Sequence, residues 1–292
     1  MDLLHTRADL ARLEPLRRQE RPLVLVPTMG ALHEGHLALV RRGRELGDVV
    51  VSIFVNPTQF GPGEDFDAYP RDLRRDLDLL EPLGTAAVFA PGVGEMYPRE
   101  RSVAVEPGPA ADGLCGAGRP GHFRGVLTIV AKLLNLVRPD IAVFGRKDAQ
   151  QCLVIGEMVR DLDMPVRLID HPTVREADGL AMSSRNAYLG PDARQRALCL
   201  SRSLAAARRA LETGERDTAA LRDLMTAELA GADAFEYAEI RTVPDLAEPA
   251  RAEGRLLLAV AARVEPARLI DNLVLHVDAD GVREATLLGD DS

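Results

Sequence analysis

Tryptophan is absent and lysine nearly so: of 36 basic residues only Lys132 and Lys147 are lysines, and the other 34 are arginines. In a chain that uses arginine almost everywhere, a retained lysine marks a position where the two cations differ. Cysteine is also scarce. Cys115, Cys152 and Cys199 are odd in number, scattered and outside Cys-x-x-Cys spacing, which argues against a disulfide framework or a cysteine zinc site and fits a reducing cytoplasm. Long apolar runs are missing. The stretch 256–262, one of the longest, falls far short of the ~20 residues that span a bilayer. The N-terminus, Met1-Asp2-Leu3-Leu4-His5-Thr6-Arg7, lacks the basic-then-apolar pattern of a signal peptide. Nor is there a surplus of positive charge. With 45 acidic residues and a net charge of -9, the chain has no basic footprint for nucleic acid. Neither a membrane nor a nucleic-acid partner is expected.

What is present is a folding composition: 46% apolar and 28% charged residues in 292, enough for one or two domains. Apolar runs at 23–26, 49–55, 86–90, 141–144 and 166–169 fit strands buried on both faces, as in a parallel sheet. Helical periodicity lies between them. His36, Leu39, Val40, Gly43, Leu46 and Gly47 share one face, and 71–81 and 124–138 also read as helices. The alternation predicts an α/β, doubly wound parallel-sheet domain. After about residue 175 the pattern changes. A long helix over 192–212, another over 218–229 and strands at 235–242, 256–264 and 273–277 predict a smaller α+β domain. The expected domains are 1–174 and 175–292, with the loop 173–186 at the cleft, a favoured place for ligands.

A G-x-G-x-x-G match at Gly116-Ala117-Gly118-Arg119-Pro120-Gly121 follows no strand, and Pro120 disfavours the strand-turn-helix a dinucleotide site needs. The stronger signal is Pro27-Thr28-Met29-Gly30-Ala31-Leu32-His33-Glu34-Gly35-His36, which follows the first strand and opens a helix. Backbone N–H groups and the positive helix end are expected to face an anion there. Gly30 allows the turn, Gly35 allows close approach, and His33 and His36 can donate to phosphate oxygens. The alternative use of these histidines is as a structural cap. A zinc site is a poor reading, because the two are three apart and not four.

Asn56 and Gln59 follow the 49–55 strand, at the end of an open sheet where ligands bind. Their amides could hold a small polar acid or could shape the turn around Pro57. Lys147-Asp148 follows the 141–144 strand and precedes a helix near 149–160. A compact ammonium, unlike a planar guanidinium, suits the space between a nucleotide's α-phosphate and an attacking carboxylate, and Asp148 could help bind Mg2+. In Met182-Ser183-Ser184-Arg185-Asn186, two hydroxyls and a guanidinium could bind a triphosphate; a Ser-rich linker is the alternative.

These strings resemble a known family. His33-Glu34-Gly35-His36 is similar to the H-x-G-H signature of nucleotidylyltransferases and class I aminoacyl-tRNA synthetases. The run from Pro27 to His36, then Phe54-Val55-Asn56-Pro57-Thr58-Gln59-Phe60, Tyr69-Pro70-Arg71, Gly145-Arg146-Lys147-Asp148-Ala149-Gln150-Gln151 and 173–186 resemble the pantothenate synthetase (pantoate–β-alanine ligase) family, in order and over essentially the whole chain. The resemblance implies a Rossmann-like first domain and a KMSKS-like loop at the start of the second. It implies that His33, His36, Lys147 and Arg185 are catalytic. ATP contacts would come from Pro27, Thr28, Met29, His33, Gly35, His36, Gly145, Lys147, Asp148, Val174, Met182, Ser183, Ser184 and Arg185. Asn56, Gln59 and Gln151 would hold pantoate, with Arg119 and His122 nearby, and Asp76 and Asp148 would lie in the Mg2+ region. Arg75 stands where some relatives carry an acid, and Arg146 replaces an acid or neutral residue.

On this reading the chain activates pantoate with ATP, releases pyrophosphate, and passes the pantoyl group from its adenylate to β-alanine, releasing AMP. No protein nucleophile and no organic cofactor is required, and a homodimer is implied. The alternatives are another small-molecule nucleotidylyltransferase, or a nucleotide-binding module without catalysis.

Overall fold

Short β-branched runs build the first sheet. β1 (Asp2–Leu4), β2 (Leu23–Thr28), β3 (Asp48–Ile53), β4 (Ala87–Phe89), β5 (Ile141–Gly145) and β6 (Arg167–His171) lie in the order β1-β4-β3-β2-β5-β6. Every neighbouring pair is parallel. The molecule is seen here as a computed structural model that describes residues 1–288. Its chain separates into two units: Met1–Gly145 with Val154–His171, and Arg146–Leu153 with the chain from Pro172 onward.

In the first unit the chain moves outward from β2 through β3 to β4, then returns to β5 on the other flank of β2. The carboxyl ends of β2 and β5 therefore form the switch point at which doubly wound sheets bind ligands. The helix α1 (Glu34–Leu46) packs closely on the sheet because Gly43 has no side chain: a Cβ there would meet Val49 Cγ2 at 2.9 Å and Val24 Cγ1 at 3.2 Å. Val24, Val26, Val40, Val49, Val51 and Val143 are fully buried in this layer. Each such side chain contributes about 1.5–3 kcal/mol by leaving water. The helices α2 (Leu73–Leu80) and α3 (His122–Val137) complete the unit with part of α4 (Ala149–Asp161).

In the second unit α5 (Pro191–Ala197), α6 (Cys199–Glu212) and α7 (Thr218–Glu228) accompany an antiparallel sheet. Its strands β7 (Ala234–Thr242), β8 (Gly254–Val264), β9 (Ala267–Asp278) and β10 (Gly281–Glu284) run in the order β10-β9-β8-β7. Leu200, Leu204 and Leu211 of α6 share a core with Leu256, Leu258 and Val260 of β8.

The α/β sheet and the α+β unit match the expected fold class. Details differ. β1 has only three residues, too few to show a period. The single helix expected over 192–212 is two, separated at Leu198. The strand expected at 273–277 begins at Ala267, and β10 follows it. The sequence hides that start because Arg268, Asp271 and Asn272 interrupt the apolar pattern. The change of unit falls at Pro172, and the segment Arg146–Leu153 also groups with the second unit, which a single cut at 174 does not anticipate.

Candidate active site

The turn after β2 is built from its own side chains. Thr28 Oγ1 donates to Ser52 O (2.8 Å) and accepts from Gly30 N (3.2 Å). Gly30 and Ala31 turn the chain through the left-handed region, with φ of 81° and 51°. A Cβ at Gly30 would meet both Asp76 Oδ2 and Ile53 Cγ2 at 3.0 Å, so glycine is required on two counts. The unfavourable φ at Ala31 is held by Asp76. This buried carboxylate accepts from Ala31 N (3.0 Å) and Leu32 N (2.8 Å). Burial pushes the Asp76 carboxyl above its ordinary range, against the opposing pull of those two N–H groups and the Arg75 charge.

His33 then caps α1. Its Nδ1 accepts from Gly35 N (3.2 Å), while Nδ1 of His36 accepts from His33 N (3.4 Å). This is a capping box made by two imidazoles, whose ring centroids lie 4.1 Å apart. Because backbone donors claim each Nδ1, a neutral ring carries its proton on Nε2. Cap and phosphate donor are therefore compatible roles, assigned to different nitrogens of one ring. The expected cradle of backbone N–H groups is corrected. The amides of Gly30, His33, Gly35 and His36 already have acceptors within the turn, and those of Ala31 and Leu32 donate to Asp76. The two imidazole rings add donors to the amides that remain.

A second group in the same unit surrounds Gln59. Asn56 is 1% exposed and fully bonded. Its Oδ1 accepts from Thr58 N (3.3 Å), Thr58 Oγ1 (3.0 Å) and Tyr97 Oη (2.9 Å), and its Nδ2 donates to Gln59 Oε1 (3.0 Å) and Gly125 O (3.2 Å). Of the two readings open in the sequence, shaping the turn is the one this geometry displays. Gln59 Nε2 points to Met29 Sδ at 3.3 Å, so two expected ligand contacts adjoin. Gly125 makes the arrangement possible, since a Cβ there would lie 2.1 Å from Thr58 O. His122 Nδ1 lies 2.8 Å from Gln59 O. A carbonyl only accepts, so Nδ1 donates, and Nε2 accepts from Arg119 Nη1 at 2.9 Å. Arg119 also forks onto Glu64, at 2.7 Å and 2.6 Å. The G-x-G-x-x-G match around Arg119 is a short helical turn, Cys115–Gly118, with no strand before it.

The second unit places the remaining expected residues. Lys147 and Asp148 lie in the helical turn Arg146–Asp148, directly after β5 in the chain and ahead of α4. Lys147 is half-buried and Asp148 exposed, while Gln151 follows in the first turn of α4. Asn272 of β9 donates from Nδ2 to Arg146 O (3.0 Å) and Lys147 O (2.8 Å). Asp271 receives a fork from Arg175, at 2.7 Å and 3.0 Å. Burial drives the Asp271 carboxyl upward, against the Arg175 fork, the Asn272 N–H and the Lys147 charge. In the loop that follows, Met182 N donates to Val174 O (2.9 Å), joining two expected ATP contacts through the backbone. Ser183 caps the turn Ser184–Tyr188, its Oγ accepting from Arg185 N (3.3 Å). Asn186 Nδ2 donates to Glu176 Oε1 (2.6 Å), and Arg194 bridges Glu176 and Asp178.

Asp271, Asn272, Tyr97 and Glu64 lie outside the motifs, and Arg175 lies inside the 173–186 string without being singled out by it. The one sequence signal is Asp271-Asn272 itself, two polar residues set inside Leu269-Ile270 and Leu273-Val274-Leu275. Among the described residues no group of three or more His, Cys, Asp or Glu could hold a metal. With both Asp76 oxygens engaged by amides, the donor set offers single carboxylates and no protein cage. That suits Mg2+, which keeps waters and substrate phosphates as ligands.

The sequence model of the pantoate-beta-alanine ligase family matches residues 2–274. The chain belongs to the pantoate–β-alanine ligase family. It is 54% identical over 263 residues to the pantothenate synthetase of Heliobacterium modesticaldum, covering 89% of this chain and 94% of that one. It is 51% identical over 280 residues to that of Geobacter sulfurreducens, covering 94% and 99%. Among solved structures, the pantothenate synthetase of Thermus thermophilus superposes with a TM-score of 0.88 at 46% identity, over 94% of this chain and 99% of that one. The pantoate–β-alanine ligase of Francisella tularensis, solved with β,γ-ATP and β-alanine, has a TM-score of 0.77 at 31% identity, covering 94% and 97%. This member of the family carries its histidine turn, its lysine turn and its Ser-Ser-Arg loop on the elements described above. No helix among the described residues is long and apolar enough to cross a membrane.

Proposed function

We infer that the chain condenses pantoate with β-alanine at the expense of ATP, through a pantoyl adenylate. The pantoate carboxylate attacks the α-phosphorus and pyrophosphate leaves. The amine of β-alanine then attacks the acyl carbon, and AMP leaves as the amide forms. The observation that carries this reading is the histidine capping box. It directs both Nδ1 atoms inward and makes Nε2–H the donor of each neutral ring at the end of a switch-point strand.

Nucleotidyl transfer depends on position and charge neutralisation more than on covalent help. His33 and His36 would donate to phosphate oxygens. Lys147 would offset the charge that develops at the α-phosphate, and Ser183, Ser184 and Arg185 would hold the phosphate chain. Pro27, Thr28, Met29, Gly35, Gly145, Val174 and Met182 would line the nucleotide. Gln59 and Gln151 would contact pantoate, with Asn56 fixing Gln59 from beneath and His122 and Arg119 fixing the same segment from its carbonyl side. Mg2+ supplies further neutralisation of the triphosphate when bound. Asp148, exposed and beside Lys147, is the carboxylate best suited to it, while Asp76 acts by holding the turn. A homodimer in the cytoplasm is the assembly and setting that the family resemblance supports, and three scattered cysteines without a disulfide fit that setting.

The test is AMP release by purified protein with ATP, Mg2+ and pantoate, with and without β-alanine. Pyrophosphate exchange without the amine, and AMP with the amide only after its addition, is the expected result. A stable nucleotidylated product would favour another nucleotidylyltransferase. ATP binding without turnover would favour a non-catalytic module.

A further inference from the structure

Lys147 is one of two lysines in the chain, and its flanking backbone is held from an unexpected direction. Asn272 sits on β9, 125 residues downstream, and donates both of its amide hydrogens to consecutive carbonyls, Arg146 O at 3.0 Å and Lys147 O at 2.8 Å. These two carbonyls belong to the peptide planes on either side of the Lys147 Cα. Fixing both planes fixes the direction in which its side chain leaves the backbone.

Two further observations argue that this contact serves more than packing. Asn272 is 4% exposed, yet its Oδ1 has no hydrogen-bond partner among the described residues. A buried, unsatisfied acceptor is destabilising, a cost that an apolar residue facing Ala259 would avoid. The strand also divides its labour. Successive residues of a strand point to opposite faces, so Asn272 reaches the Lys147 turn while Asp271 takes the fork from Arg175 at the start of the loop that carries Met182 to Arg185. Asp271 Oδ1 also accepts from Asn272 N at 2.7 Å, which ties one hold to the other.

We propose that Asn272 is a positioning residue for the adenylation step, setting the Lys147 ammonium by bracketing its backbone. This rests on the reading of Lys147 as the cation at the α-phosphate. A displacement of about 1 Å in such a group can lower a rate on the order of 100-fold, so the effect falls on turnover and not on folding alone.

The test is a double-mutant cycle on pyrophosphate release from ATP and pantoate, with rates expressed per folded molecule after thermal unfolding has given the folded fraction. Asn272→Ala should lower adenylation about tenfold or more in the native background, and less than about twofold when Lys147 is already alanine, because interacting residues are non-additive. Asn272→Asp keeps the size of the side chain but presents no amide hydrogens to the two carbonyls. It should show the same pattern and is the variant read if alanine lowers the folded fraction too far. Pantoate KM should stay within about twofold. An equal loss in both backgrounds, or near-normal adenylation by either folded variant, overturns the proposal. Near-normal adenylation by Lys147→Ala alone instead overturns the reading of Lys147, and the two failures are thereby told apart.

Discussion

The turn that carries His33 and His36 and the turn that carries Lys147 are held in contrasting ways. The first largely caps itself. Most of its hydrogen bonds link residues two or three positions apart, with Asp76, Arg75 (to Leu32 O) and Ser52 (from Thr28 Oγ1) as the distant braces. The second takes its hold on two carbonyls from a strand 125 residues away. A self-capping turn can lose a functional ring and keep its shape, provided that the replacement still caps. A turn fixed from afar can lose function through a residue that touches no substrate. The contrast separates shape from chemistry in the first turn and couples them in the second.

The largest expected effect tests the chemistry of the distantly held turn. Lys147→Ala should lower adenylation by about two orders of magnitude or more while the fold persists, the scale of losing one charge-stabilising donor. Lys147→Arg is the sharper probe. The chain tolerates arginine nearly everywhere, so its failure at 147 would show that a compact ammonium is required there. Pyrophosphate release with ATP and pantoate measures both. A folded Lys147→Ala protein with near-normal release would remove Lys147 from the catalytic set and leave the two turns differing in architecture alone.

The same contrast explains what could be read from the sequence. The strands β2 to β6, the helix after His33 and the α/β class were legible because buried strands and amphipathic helices impose periods on neighbouring residues. The histidine turn was legible because its partners are neighbours too. What could not be read is long-range. The resemblance places Asp76 in the metal region, and only the fold reveals that its two oxygens each accept an N–H group, from Ala31 and Leu32. The residues around Asn56 allow a turn-shaping or a ligand-binding amide, and only the fold brings Tyr97 and Gly125 against it. Asp271 and Asn272 broke an apolar run and so hid the first half of their own strand. Polar residues placed for a distant contact weaken the local pattern that would have revealed the element they occupy.

The next prediction separates shape from chemistry in the self-capping turn. Asparagine is a good N-cap but has no donor where imidazole places Nε2–H. His33→Asn should therefore keep stability within about 0.5 kcal/mol while adenylation falls roughly 10- to 100-fold. His33→Ala should lose the same activity and, in addition, about 1 kcal/mol of cap stability. Denaturant midpoints and pyrophosphate release measure the two quantities independently. Equal rates for His33→Asn and the native protein would reduce His33 to a cap, and the turn would then owe its donor to His36 alone.

The smallest effect asks whether long-range holds are also the weaker ones inside the first unit. There the Glu64–Arg119 fork spans 55 residues and bears on Gln59 through Arg119 and His122. Burial by itself would raise the Glu64 carboxyl, but the hydrogen bonds and charge of Arg119 outweigh it and hold the group below its ordinary 4.5. A depressed folded-state pKa means that the folded protein binds the proton less readily than the unfolded chain does. The stabilisation is therefore complete above pH 4.5 and fades as pH falls through the lower, folded value. Glu64→Gln should lower the thermal midpoint slightly at pH 7, by an amount equivalent to about 1 kcal/mol for this part-buried, forked pair. The gap between the two proteins should close as the pH drops below 4.5, because protonation then does to the native residue what the substitution has already done. A gap that stays constant down to about pH 3 would show that the fork contributes through packing and not through charge. The long-range hold on Gln59 would then be steric, like the approach of Gly125 to Thr58.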